Sequence, residues 1–168
     1  RNAIGEHLGR TALAVAESPE LLEAGATFVT LMQGAQLRGC MGSLEAHRPL
    51  VQDVAHNALA AAFRDPRFPP LPPGEFLSTR IEVSLLSAPE DFPVTDEQDC
   101  LAKLRPGIDG LILTHGMHRA TFLPQVWESL PAPDDFLRQL KLKAGLPADF
   151  WDEDLRLARY GVWKWKEN

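Results

Sequence analysis

The residues best suited to chemistry in this chain lie in Leu37-Arg38-Gly39-Cys40-Met41-Gly42. One of only two cysteines sits there between two glycines, with an arginine two positions before it. The thiolate is the reactive form of cysteine, and a neighbouring guanidinium favours it. Side chains alternate along a strand, so an extended segment would turn Arg38 and Cys40 to the same face. Gly39 and Gly42 lack a Cβ and leave room for a ligand or for close-packed backbone. These residues predict an electropositive thiol pocket with Cys40 as nucleophile or redox thiol and Arg38 as its electrostatic partner. The competing reading is a small buried side chain in a strand, the ordinary fate of free cysteine. No histidine adjoins Cys40 to act as its base, and the residues leave both readings open.

Asp65, Arg67 and Glu82 are the next candidates. They suit either an anion-binding, hydrogen-bonded cleft around Cys40 or a structural ion-pair network that pins a loop to a sheet. Glu82 lies opposite Ile81 and Val83 on its strand and is expected to face solvent or a cleft. Gln125 offers an amide to a ligand or to backbone at a helix start. Lys143 is a cleft cation or a complement to a helix C-terminus. His115 and His118 are expected to face each other across a tight hairpin at Gly116-Met117, but no third ligand has metal-site spacing, so no metal is expected. His56 is expected at the surface, Cys100 to be structural, and Trp127, Trp151, Trp163 and Trp165 to pack in cores. The chain lacks a phosphate-binding loop, a dinucleotide fingerprint and a G-x-S-x-G elbow, and no cofactor is indicated.

The elements that must position these residues can be read from periodicity. Ile4, Leu8, Ala12 and Val15 recur at helical spacing and predict an amphipathic helix over 1–17. Thr27 to Met32 and Leu37 to Leu44 are β-rich and flank a hairpin turn at Gln33-Gly34-Ala35-Gln36. Pro49 opens a second helix that ends at Asp65-Pro66. Residues 65–76 carry Pro66, Pro69, Pro70, Pro72 and Pro73 and predict a rigid surface loop. Arg80 to Leu86 is a strand. Thr95-Asp96-Glu97-Gln98 has the form of a capping box for a helix over 96–104. Gly110 to His115 and His118 to Leu123 form a second hairpin, and Asp134 to Ala144 a further helix with Gly145 just past its end. Tyr160 to Lys166 reads as a half-exposed final strand. The pattern predicts an α+β fold with a mainly antiparallel sheet.

The chain has 168 residues, 45% of them hydrophobic, enough for a core without disulfides. One domain over 1–168, with a larger and a smaller lobe, is the expectation. Arg1-Asn2-Ala3-Ile4 reads as a helix already under way, with the true N-terminus upstream, and shows no signal-peptide apolar region. Two cysteines in unlike contexts point to a reducing, cytoplasmic compartment. No apolar run reaches the ~18 residues of a membrane span. A net charge of −6 speaks against a general nucleic-acid binder.

Taken in order, several segments resemble one family. Phe28-Val29-Thr30-Leu31 followed by Leu37-Arg38-Gly39-Cys40-Met41-Gly42-Ser43 is similar to the AMMECR domain signature, which usually has isoleucine where this chain has Met41. Asp65-Pro66-Arg67-Phe68 with Pro70-Leu71, Ile81 to Leu86, Gly107 with Gly110, Leu123-Pro124-Gln125-Val126 and Lys143-Ala144-Gly145-Leu146 continue the match over nearly the whole chain. In prokaryotes this family is also called AmmeMemoRadiSam system protein A. The resemblance implies a two-lobed α+β fold whose cleft carries the signature, and partnership with a Memo-like protein and a radical SAM protein. Two functions follow as expectations. One is an enzyme or enzyme subunit with a small-molecule ligand around residues 37–42, using Cys40, Arg38 and Glu82, with Gly39, Gly42, Asp65, Arg67 and Gln125 lining the site. The other is a non-catalytic module that docks those partner proteins through its proline loop or final strand.

Overall fold

The computed structural model describes residues 1–14 and 18–167. In chain order the elements are α1 (Asn2–His7), β1 (Ala26–Gln33), β2 (Gln36–Gly42), α2 (Leu50–Phe63), β3 (Thr79–Leu86), β4 (Glu90–Asp91), α3 (Glu97–Lys103), β5 (Gly110–His115), β6 (His118–Phe122), α4 (Pro133–Lys143), β7 (Arg156–Tyr160) and β8 (Val162–Lys166). The fold is α+β with two four-stranded antiparallel sheets. The chain divides into two compact units, residues 1–86 with 163–168, and residues 87–162.

In the first unit the strand order is β2-β1-β3-β8. Val29 and Leu31 of β1 alternate inward and are wholly buried. They pack with Ile81 of β3 and with Ile4, Ala58, Ala61 and Ala62 from the helices. The run of alanines lets α2 press its backbone onto the sheet. A Cβ on Gly39 would lie 2.2 Å from the Ala61 carbonyl oxygen, so only glycine fits this contact. A Cβ on Gly42 would lie 2.3 Å from the Phe28 ring. The proline loop is more than a surface cover, because Leu71 and Phe76 are buried in the same core.

The second sheet runs β4-β7-β5-β6. Leu111 and Leu113 of β5 pack with Phe136, Leu137 and Leu140 of α4, and the Trp127 and Phe136 rings stack with centroids 3.8 Å apart. Lys141, also on α4, is wholly buried and pairs with Glu97 at 2.5 Å.

Four sequence expectations are corrected. The first helix ends at His7, not 17, because Gly9 adopts φ 77° and turns the chain as only glycine does readily. Leu13 is exposed, and Val15 lies outside the described residues. The capping contact of α3 falls one residue later than read. Asp96 accepts from the Asp99 N–H at 2.8 Å, and Asp99 accepts from the Thr95 N–H at 3.0 Å. The final strand, β8, begins at Val162 rather than Tyr160, because Tyr160 ends β7, which belongs to the other sheet. Trp163 and Trp165 are not core residues, since each is 56% exposed.

Replacing Gly39 by alanine should cost about 1–3 kcal/mol of stability, the usual range for overpacking. Gly74 has nothing within 4 Å of its Cβ position, and Gly74→Ala should stay within about 0.5 kcal/mol of the parent. Urea unfolding of both variants checks this. Equal midpoints for the Gly39 variant and the parent would contradict the close approach of α2.

Candidate functional site

Thr30, at the centre of β1, pairs in register with Cys40 on one side and Glu82 on the other. The Cys40 N–H donates to Asp65 Oδ2 at 2.9 Å, and the Cys40 carbonyl accepts from Arg67 Nη2 at 3.2 Å. Both main-chain groups therefore point away from β1. Thr30 and Cys40 form the kind of antiparallel pair that lacks mutual backbone bonds and brings side chains closest. Accordingly, Thr30 Oγ1 and Cys40 Sγ lie 3.3 Å apart in a hydrogen bond. Cys40 is half-buried. Beyond Thr30, Glu82 Oε1 meets Lys166 Nζ of β8 at 3.2 Å. A thiol, a hydroxyl, a carboxylate and an ammonium thus form one row across four strands, on the face away from Val29 and Leu31.

Asp65 and Arg67 hold the signature strand in place. Asp65 is 4% exposed, and its carboxylate accepts from Arg67 N–H at 3.1 Å, Nε at 3.0 Å and Nη2 at 2.7 Å besides Cys40 N–H. The Arg67 hydrogen bonds hold the Asp65 carboxyl well below the usual carboxylate range; burial pushes the other way and the Cys40 N–H adds to the lowering. Arg67 itself is more than half exposed.

Arg38 does not share the Cys40 face. The β1–β2 register shifts between Leu31 and Met32, so that Leu31 opposes Gly39 while Met32 opposes Leu37. Arg38 is the additional residue of this β-bulge, and a bulge re-aims its side chain. Its Nε donates to Glu75 Oε2 at 2.9 Å, the oxygen that also accepts from Gln33 Nε2 at 2.7 Å. Gln33 and Thr30 are three positions apart on β1 and so face opposite ways. The Arg38 and Gln33 hydrogen bonds hold the Glu75 carboxyl below its ordinary value. Arg38 is 8% exposed, and its Nη1 is buried without a hydrogen-bond partner.

The spaces beside Gly39 and Gly42 are filled by Ala61 backbone and by Phe28 and Thr27. Gln125 belongs to the second unit, in the 3-10 turn Pro124–Glu128, and is exposed. His115 and His118 do face each other in register. His118 Nδ1 lies 2.9 Å from the Ala144 carbonyl oxygen, and His115 Nε2 lies 3.5 Å from Asp152. Lys143 donates to the Thr121 carbonyl at 2.9 Å. Cys100 is wholly buried, and burial beside Glu97 pushes its thiol up to about 12. Among the described residues no group of three or more His, Cys, Asp or Glu is arranged to hold a metal ion.

Sequence reasoning missed Thr30 and Lys166, and a second polar cluster centred on Asp53. Asp53 of α2 is wholly buried and accepts from Thr27 N–H at 2.9 Å, Thr27 Oγ1 at 2.7 Å, Ser43 Oγ at 2.8 Å and Asn57 Nδ2 at 2.9 Å. The available signal was Asp53 and Asn57 four residues apart on a helix whose neighbours are mostly apolar.

Asp65 supplies a test of the signature's anchoring. Its folded pKa lies below its unfolded value of ~3.9. Its stabilising contribution is therefore complete above about pH 4 and is lost as pH falls from there toward the folded pKa. Asp65→Asn should be less stable than the parent by roughly 2 kcal/mol at pH 7, with the gap narrowing below about pH 4. Denaturant melts across pH 2 to 7 measure it, and a pH-independent gap would refute the role given to the carboxylate.

A family model described as AMMECR1 matches residues 1–165. A protein of Methanothermobacter thermautotrophicus is 38% identical over 169 residues, which cover 95% of this chain and 86% of that protein. One of Methanocaldococcus jannaschii is 36% identical over 169 residues, covering 95% of this chain and 82% of its own length. The crystal structure of an uncharacterized protein from Pyrococcus horikoshii superposes with a TM-score of 0.80 at 34% identity, covering 98% of this chain and 86% of that one. The chain belongs to the AMMECR1 family.

Proposed function

We propose that this chain is an enzyme or enzyme subunit that takes a small polar ligand on the face of its first sheet away from Val29 and Leu31. One observation carries the reading: Cys40, Thr30, Glu82 and Lys166 lie in a single row there. Neighbouring strands are ~4.8 Å apart, so Cys40 and Glu82 stand two spacings, roughly 10 Å, from each other. A ligand seated over Thr30 reaches both. Cys40 is the nucleophile, Thr30 fixes its sulfur, Glu82 orients the ligand or moves a proton, and Lys166 fixes Glu82. Arg38, tied to Glu75 in the bulge, supports the strand rather than the thiol. Asp65 and Arg67 position Cys40 through its backbone.

A second reading is favoured by a different observation. Exposed tryptophans on β8 suit a non-catalytic module that binds other proteins, and the Memo-like and radical SAM proteins are the partners proposed for it.

Iodoacetamide labelling followed by mass spectrometry tests the first reading. Half-buried Cys40 should be alkylated in the native protein while Cys100, with its thiol near 12, is not. A thermal-shift survey of small polar metabolites should then find ligands whose stabilisation is lost in both Cys40→Ser and Glu82→Gln. Native Cys40 that resists alkylation, or ligand shifts untouched by either variant, would overturn the reading.

A further inference from the structure

We infer that β8 is a docking edge for an acidic, extended segment of a partner protein, which adds to the first sheet as a fifth strand. The strand order ends at β8, so among the described residues its outer backbone groups have no neighbouring strand. Such an edge is a template for another chain. Trp163, Lys164, Trp165 and Lys166 are all exposed, the two tryptophans at 56% each. Lys166 reaches Glu82, so Lys164 shares its face, and Trp163 and Trp165 occupy the other. Two large aromatic side chains two residues apart, left in water on an edge strand, are the kind of anchor on which interfaces concentrate their binding energy.

Charge selects the occupant. The chain carries a net −6, yet the charges on β8 itself are Lys164 and Lys166. Lys166 already has Glu82. Antiparallel pairing of β8 with a second copy about Lys164 would set two Lys164 side chains directly opposite, which is unfavourable. A segment with a carboxylate at that position and apolar residues on either side complements both faces at once. The carboxylate meets Lys164 while the apolar residues lie on the tryptophans. This inference is independent of the ligand site proposed above, because Trp163, Lys164 and Trp165 are outside the Cys40 row.

The test titrates isotope-labelled protein with two capped peptides, Ser-Thr-Val-Glu-Val-Thr-Ser and Ser-Thr-Val-Lys-Val-Thr-Ser, and follows the indole and backbone N–H resonances. The acidic peptide should bind about fivefold tighter than the basic one, with shifts concentrated on β8 and the indoles of Trp163 and Trp165. Lys164→Glu, a change at an exposed position, should reverse the order of the two peptides and leave Cys40 alkylation unchanged. Equal binding of the two peptides, binding of neither, or shifts centred away from β8 would overturn the inference. So would sedimentation showing a dimer that Trp165→Ser dissociates, since the edge would then belong to a second copy.

Discussion

A strand at the edge of a sheet must find partners for the backbone groups that point outward. At Cys40 those partners are side chains. Asp65 takes the N–H and Arg67 gives to the carbonyl, and the two are hydrogen-bonded to each other. Together they imitate the acceptor and donor of a missing strand. The start of the proline loop is thereby fastened to β2, and Leu71 and Phe76 further along it enter the core. The position of Cys40 relative to Thr30 depends on this substitution of side chains for backbone.

The signature segment divides its labour by face and by group. Gly39 admits the backbone of α2, Gly42 the ring of Phe28, and Arg38 reaches out of the bulge to Glu75. The Cys40 main chain is committed to Asp65 and Arg67. What remains for chemistry is the Cys40 side chain, which meets Thr30 on the side of the sheet away from the core. A strand whose main chain is held by Asp65 and Arg67 fixes where the sulfur stands, which suits the ligand role proposed above.

Much of this was legible in the sequence. The hairpin at Gly34, the span of α2, the strand over Arg80 to Leu86 and the opposed histidines follow from turn residues and alternation, which are local. The shared face of Arg38 and Cys40 was not, because strict alternation assumes an unbroken ladder, and the bulge depends on how β1 pairs with β2. Gly9 stops α1 inside an otherwise helical apolar pattern, so periodicity alone overran it. The burial of Lys141 and Asp53 had no local signal, since their partners, Glu97 and Thr27, lie far away in the chain. Thr30 escaped notice because a threonine in a strand needs no functional explanation; only its register with Cys40 and Glu82 gives it one.

The two ends of the first sheet are chemically unequal. At β2 the outward groups of Cys40 are occupied from within the chain, while β8 presents exposed tryptophans and lysines. Growth of a sheet from molecule to molecule needs two edges that can each receive the other. With the Cys40 groups of the other edge already occupied, a strand landing on β8 would be the last as well as the first. On the docking proposed above, the asymmetry would let the protein receive one guest strand without becoming a link in a fibre.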